Sequence, residues 1–341
     1  MSLQTGLGFR SLSAQEQNAY RVVLKAFSSM SASFDASSIS RNVDFMKIIQ
    51  VVLGDNPAVI YFNKTQIETT SSILRRQIRL TGVLPKSQIN RMNAELDKKA
   101  NMATASIISG SNDDYSLLIK VYEYLQKNVN YDMQEFQAEQ NGRAKNTVSH
   151  NAYGALVNGT AVCDGFSSAF ALLTQKLGFE CMLARGRSSH RSTGPAEHAW
   201  NIIKIRNKCC HMDVTWDSNQ FSELGEHSYD YFALDDKEIS SDHDWDRKTT
   251  PACTTGEFSY YAKNRLHADN QRMLEDIIRA SVKNRGKPVR IKLSRSINLP
   301  ANAGDHLGQY LINEAAKTWG SAQINYSWNE NTRCFYAKFV V

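Results

Sequence analysis

The chain has 341 residues, 42% hydrophobic and 22% charged, with 18 glycines and 6 prolines, a composition that excludes a disordered or collagen-like polymer and leaves room for a sizeable buried core. Forty Lys and Arg against 34 Asp and Glu give a net charge of +6, spread in short groups such as Arg75-Arg76 and Lys98-Lys99. These read as solvated faces, so no nucleic-acid partner is expected, and no apolar run of about 18 residues exists to span a membrane.

Residues 1–12 read as a loose lead-in without the basic and apolar regions of a signal peptide. Met1-Ser2-Leu3 resembles an expression-vector start; if a leader once stood before it, the protein is secreted or on a bacterial surface, and otherwise cytoplasmic. Ser13-Ala14-Gln15-Glu16 fits a capping box, and Tyr20, Val23, Leu24, Phe27 and Met30 follow at helical spacing. Serine-rich 31–40 reads as a break. A second helix is expected from Val43 to Leu53, stopped by the turn Gly54-Asp55-Asn56-Pro57. Residues 58–82, rich in Ile, Val, Thr, Tyr and Phe, read as two or three strands. Helices are expected over 86–109 and 114–129, and polar 130–150 reads as a loop.

At 152–178 the texture changes to small residues, glycine, one cysteine and then a helix. A strand is expected over 179–187 and a hairpin over 197–206 and 208–215, turning at Arg206-Asn207-Lys208, before a long polar loop. After Pro251 the pattern restarts as a helix at 265–283, a strand at 288–294, a helix at 305–318 and strands near 322–328 and 333–341. The expected organisation is an N-terminal helical region with short strands (1–112), a central core (113–250) and a small C-terminal α-β-α-β-β extension (262–341).

Six cysteines, Cys163, Cys181, Cys209, Cys210, Cys253 and Cys334, are too few for a disulfide scaffold, and no CxxC pair supplies a structural zinc site. Cys163 stands apart. It follows a Gly-containing turn and begins the apolar run Phe166, Phe170, Leu173 and Leu177, so it lies at a helix start. The positive end of the helix dipole favours a thiolate there, and first-turn N–H groups can stabilise an oxyanion. His198 shares a strand face with Trp200 and Ile202, and Asp213 lies across the hairpin turn from it. A carboxylate beside an imidazole fixes its tautomer and favours imidazolium, which in turn pairs with a thiolate. A lone cysteine is more often a small core residue, a lone strand histidine is usually satisfied packing, and an Asp near a strand end usually caps a turn. Only the three together are specific. Asp217 is the rival to Asp213.

At these residues the sequence resembles the transglutaminase-like superfamily, in particular its bacterial transglutaminase-core proteins. The matching words run from Ala152-Tyr153-Gly154-Ala155 through Asn158-Gly159-Thr160-Ala161-Val162-Cys163-Asp164-Gly165-Phe166, then His198-Ala199-Trp200-Asn201, then His211-Met212-Asp213-Val214-Thr215-Trp216-Asp217, then Tyr231-Phe232 with Asp242-His243. They cover roughly 115–246. Phe166 and Asp164 depart slightly from the pattern, where Tyr and Glu or Gln are common. The resemblance implies an α+β, papain-like core with a nucleophile helix packed on an antiparallel sheet. It implies Cys163 as nucleophile, His198 as base and Asp213 as orienter, with Tyr153 or Asn151 as candidate oxyanion donor. Trp200, His211 and Trp216 are expected to flank the site.

The expected chemistry is acyl transfer on peptide-like amides through a thioester, with water as the acceptor (a peptidase or amidase). The alternatives are an amine acceptor, which makes the protein a cross-linker, and a non-catalytic binding or scaffold module. No metal or cofactor is expected, since no EF-hand-like acidic loop occurs. A peptide or protein is the expected partner, with bacterial cell-wall peptide as a substrate by family analogy.

Overall fold

The computed structural model describes residues 3–60, 67–71, 75–80, 84–109, 113–143, 147–190, 194–284 and 286–340. The chain divides into two compact units, one of Met1–Ser228 with His243–Thr254 and one of Tyr229–Asp242 with Thr255–Val341.

The first unit opens with the expected capping box, in which the Ser13 side chain accepts from the Glu16 N–H, and the helix Ala14–Ser28 follows. Its Tyr20, Val23 and Phe27 pack in one apolar cluster with Ile48, Ile49 and Val52 of the helix Phe45–Asp55. Asp55 ends that helix and accepts backbone N–H groups from Gly6, Gly8 and Phe9 and the Tyr20 hydroxyl, which pins the lead-in to the core. Of the strands read in 58–82, Ile67–Ser71 and Arg76–Leu80 form an antiparallel pair. The segments 61–66, 72–74 and 81–82 lie outside the described residues. A third strand, Ser33–Asp35, joins Arg76–Leu80 from within the serine-rich stretch read as a break.

Helices Lys86–Ile108 and Asp114–Asn128 form where apolar residues recur, with Leu118, Val121, Tyr122 and Leu125 of the second fully buried. The stretch read as a loop holds more order than expected. Asn130–Tyr131 pairs with Thr160–Ala161, Met133–Gln140 is helical, and Thr147–His150 is a 3-10 turn. The helix starts because the Asp132 side chain accepts from the Glu135 N–H. It carries no apolar stripe for periodicity to reveal.

The helix Cys163–Lys176 buries every residue from Gly165 to Thr174, as a helix at the centre of a core must. It packs on the long strands Glu180–His190 and Gly194–Ile205. These pair antiparallel, and the sheet continues with Lys208–Met212 beyond Gly194–Ile205 and with His243–Trp245 beyond Glu180–His190. The architecture is α+β, with the helix Cys163–Lys176 packed on an antiparallel sheet. After Met212 the polar stretch read as a loop is the helix Val214–Leu224. No helix among the described residues is long and apolar enough to cross a membrane.

The second unit holds helices Gln271–Lys283 and Ala303–Trp319 with a sheet ordered His267–Ala268, Val289–Leu293, Cys334–Val340, Gln323–Asn329. Leu274, Ile278, Leu307, Leu311 and Phe335 form its core. The segment 229–242 is fixed within it by Tyr261 donating to Asp230 at 2.7 Å and by the Lys292–Glu238 ion pair at 2.6 Å.

Candidate active site

Cys163 is the first residue of its helix, half-buried, and its N-cap residue Val162 provides no side-chain cap. First-turn N–H groups have no partner inside a helix, so this end is electropositive and rich in donors. Two residues on, Gly165 allows a close approach: a Cβ there would lie 2.4 Å from the Ser149 carbonyl oxygen. The helix start can therefore press against the turn that precedes it.

The same helix is stitched to the His198 strand one turn beyond Cys163. Ser167 Oγ donates to the Ala199 carbonyl at 2.9 Å, and Asn201 Nδ2 donates to the Ser167 carbonyl at 2.9 Å. Both bonds are buried, and they reach Ala199, next to His198, and Asn201, three residues on from it. They fix the distance from helix start to imidazole.

His198 is buried, with Nε2 2.7 Å from Asp213 Oδ2. Cys163 also acts on this ring, favouring its charged form. Burial alone would favour the neutral ring, but the Asp213 charge and hydrogen bond, with Cys163, outweigh it and raise the His198 pKa to about 9. Burial likewise disfavours the Asp213 carboxylate, yet His198 and His243 hold its pKa well below the usual range.

Asp213 uses both oxygens. Oδ1 accepts the Thr215 N–H at 3.0 Å and the Trp216 N–H at 3.2 Å, an Asx cap that starts the helix Val214–Leu224. Oδ2 faces His198 and, at 3.1 Å, His243 Nε2. Asp217 is engaged elsewhere, accepting from Tyr122 and Ser228 hydroxyls at 2.6 Å each.

Trp200 is fully buried, lies nearly parallel to His198 with centroids 6.0 Å apart, and donates its indole N–H to His211 Nδ1 at 2.9 Å. His211 thus contacts the indole that lies against His198. Trp216 also lies near His198, centroids 5.8 Å apart. The Tyr153 hydroxyl is hydrogen-bonded to Glu95, and the Asn151 side chain donates to the Ile60 carbonyl at 3.3 Å while its oxygen accepts the Tyr153 N–H at 2.9 Å.

Two residues near the site escaped the sequence reading. Tyr131 pairs with Ala161, two residues before Cys163, and stacks on Phe166. Burial, and then the charge on Cys163, push its phenol far upward. It sits in the polar stretch read as a loop, so nothing in the sequence marked it. His243 lies inside a quoted family word, yet only the fold places it against Asp213. The donor atoms of His198, Asp213 and His243 lie within 4.8 Å of one another, a set able to hold a metal ion, though the His–Asp distances of 2.7 and 3.1 Å are those of shared protons.

Residues 101–214, which include Cys163, His198 and Asp213, match the model of the transglutaminase-like superfamily. No curated protein matches the chain. Among solved structures, one described as a TGase is 14% identical, with 48% of this chain and 50% of that one covered and a TM-score of 0.32. A second, named "Putative Cysteine Protease" from Cytophaga hutchinsonii, is 14% identical over 44% of this chain and 62% of its own, with a TM-score of 0.29. A third, named a "putative protease" from Parabacteroides distasonis, is 10% identical over 44% and 36%, with a TM-score of 0.24. The chain thus spans about half the length of the first of these and less than two thirds of the others.

Proposed function

We propose that this chain, which carries a transglutaminase-like core over residues 101–214, is a cysteine-dependent acyl-transfer enzyme acting on peptide-like amides, with water as the acceptor. The observation that carries this reading is one buried imidazole hydrogen-bonded to a carboxylate and held toward its charged form by that carboxylate and by a cysteine at a helix start. In the proposed cycle the Cys163 thiolate attacks the amide carbonyl carbon. The oxyanion is held by N–H groups of the helix's first turn. As the C–N bond breaks, the His198 imidazolium gives its proton to the leaving amine, and a thioester remains. Water then adds with His198 as base, the C–S bond breaks, and the acid leaves with the thiolate and imidazolium restored. Asp213 orients His198 and stabilises its charge.

Water is favoured over an amine because hydrolysis needs no second substrate pocket. Peptides, bacterial cell-wall peptides among them, are the proposed substrate class.

Two measurements test this. In the first, iodoacetamide alkylation of each cysteine is followed by mass spectrometry from about pH 5 to 9. Cys163 alone should react fast below the free-thiol pKa of about 8.5 and lose that advantage in His198→Ala. A Cys163 no faster than the other five cysteines overturns the reading. In the second, a peptide mixture is incubated with the protein, with and without a primary diamine, and Cys163→Ser serves as control. Hydrolysed amides made only by the wild type support the reading. Amine adducts in their place identify the cross-linker instead.

A further inference from the structure

We infer that His243 is a positioning residue, which locks the Asp213 carboxylate and through it the orientation and tautomer of His198. The inference rests on the proposed roles of Cys163, His198 and Asp213.

His243 opens the strand His243–Trp245, which pairs with Glu180–His190 so that Trp245 stands opposite Gly186 and His243 opposite Ser188. On the other side of the same strand His198 also stands opposite Gly186. Alternation puts His198, Gly186, His243 and Trp245 on one face. The missing side chain at 186 is what lets the two histidines meet: a Cβ there would lie 2.1 Å from the Asp244 carbonyl oxygen. The ring centroids of His198 and His243 are 5.3 Å apart.

The His243 side chain is fully buried, and so is that of Asp213. An ionised carboxylate only accepts hydrogen bonds, so both rings must carry their proton on Nε2 to satisfy the shared Oδ2. For His198 this places a proton on the nitrogen facing Asp213 and leaves Nδ1 as the nitrogen for the proton exchange with Cys163 that the proposed roles require. The carboxylate is thereby held from both ends. Oδ1 accepts two backbone N–H groups of a helix start, and Oδ2 accepts two imidazoles. Without His243, one of these four restraints is gone and Oδ2 can swing off the His198 axis. His243 is itself boxed in by Trp200 edge-on at 4.9 Å and Trp216 at 4.8 Å between centroids.

The ordinary reading of a buried histidine on a carboxylate is packing. A comparison of substitutions that differ in hydrogen-bonding capacity separates the two. His243→Leu keeps bulk and removes the donor; His243→Gln keeps an N–H donor. The readout is Cys163 alkylation by iodoacetamide at pH 6, where a thiolate exists only through its imidazolium, and at about pH 9.5, where free thiols ionise unaided. His243→Leu should slow the pH 6 rate between about tenfold and a hundredfold, as a small misplacement of a reacting group does, and leave the pH 9.5 rate near wild type. His243→Gln should recover most of the loss.

A folded His243→Leu protein with the wild-type pH 6 rate overturns the inference. So does a folded Gln variant as slow as the Leu variant, which makes the role one of packing. Should His243→Leu not fold, nitrogen NMR of the wild type with labelled histidines decides: both His198 and His243 should carry a proton on Nε2, and a His243 protonated on Nδ1 alone overturns the inference. A wild type whose Cys163 is not fast at pH 6 sinks the proposed function instead, and the NMR result then still reports on His243 separately.

Discussion

An unperturbed thiol is mostly neutral at pH 7, so the proposed chemistry at Cys163 depends on His198 staying charged beside it. Burial opposes that charge, and Asp213 with Cys163 more than offsets it, which carries the ring's pKa to about 9. The sign follows. A raised histidine pKa contributes stability that is complete below the unfolded value of about 6.5 and is lost as pH rises through about 9. The depressed Asp213 pKa contributes stability present above about 3.9 and lost as pH falls through its lowered value. Acyl transfer also needs His198 as proton donor to the leaving amine. The amidase rate should therefore hold on the alkaline side to about pH 9 and decline above it, while Cys163 alkylation, which needs only the thiolate, does not decline. A pH–rate profile beside the alkylation profile checks this; an amidase rate still rising past pH 10 contradicts it. At this scale Cys163, His198 and Asp213 were legible because each has a local signal, namely a helix start and a two-strand hairpin. His243 was not, since 30 residues and a non-sequential strand pairing separate it from the carboxylate it touches.

Between elements, the spacing of thiol and imidazole is set by the buried bonds from Ser167 and Asn201 rather than by the two reacting side chains. Asn201→Leu removes the side-chain donor to the Ser167 carbonyl, which keeps only its partner within the helix Cys163–Lys176, at a cost of about 0.5–1.5 kcal/mol for a lost intramolecular hydrogen bond. It should lower the melting temperature and also slow Cys163 alkylation at pH 6. Thermal unfolding and the alkylation rate, measured on the same preparation, test both halves; lost stability with an unchanged rate at pH 6 rejects the spacing role. Elements with an apolar stripe were readable, as the helices Asp114–Asn128 and Gln271–Lys283 illustrate. Met133–Gln140 and Val214–Leu224 were not. Each is started by an aspartate, Asp132 or Asp213, whose side chain accepts first-turn N–H groups. An Asp before a polar stretch is equally a turn residue, and only the accepted N–H tells the two apart.

For the molecule as a whole, the order of residues along the chain and the membership of its compact units differ. The segment 229–242 belongs with Thr255–Val341, although His243, its immediate successor, belongs to the first unit. Hydropathy along a sequence cannot reveal such a return, because the contacts involved lie 31 residues or more apart: Tyr261 with Asp230, Lys292 with Glu238, and the Arg290 guanidinium over the Tyr229 ring at 5.5 Å. A chain cut after Thr254 keeps Cys163, His198, Asp213 and His243 but takes away these three partners of 229–242. Asp230, now 5% exposed, would lose the Tyr261 hydroxyl, and Glu238 would lose its buried lysine. Groups stripped of buried partners are destabilising by about 1–3 kcal/mol each, a large share of a domain's stability of about 5–15 kcal/mol. Residues 1–254 should therefore melt well below the full chain or aggregate. Co-expression of 255–341 as a separate polypeptide should recover solubility, because the lost partners all lie on it. Thermal unfolding of the full chain, the truncated chain and the co-expressed pair checks this. A truncated chain as stable as the full one would mean that the bonds from 255–341 to 229–242 contribute nothing measurable.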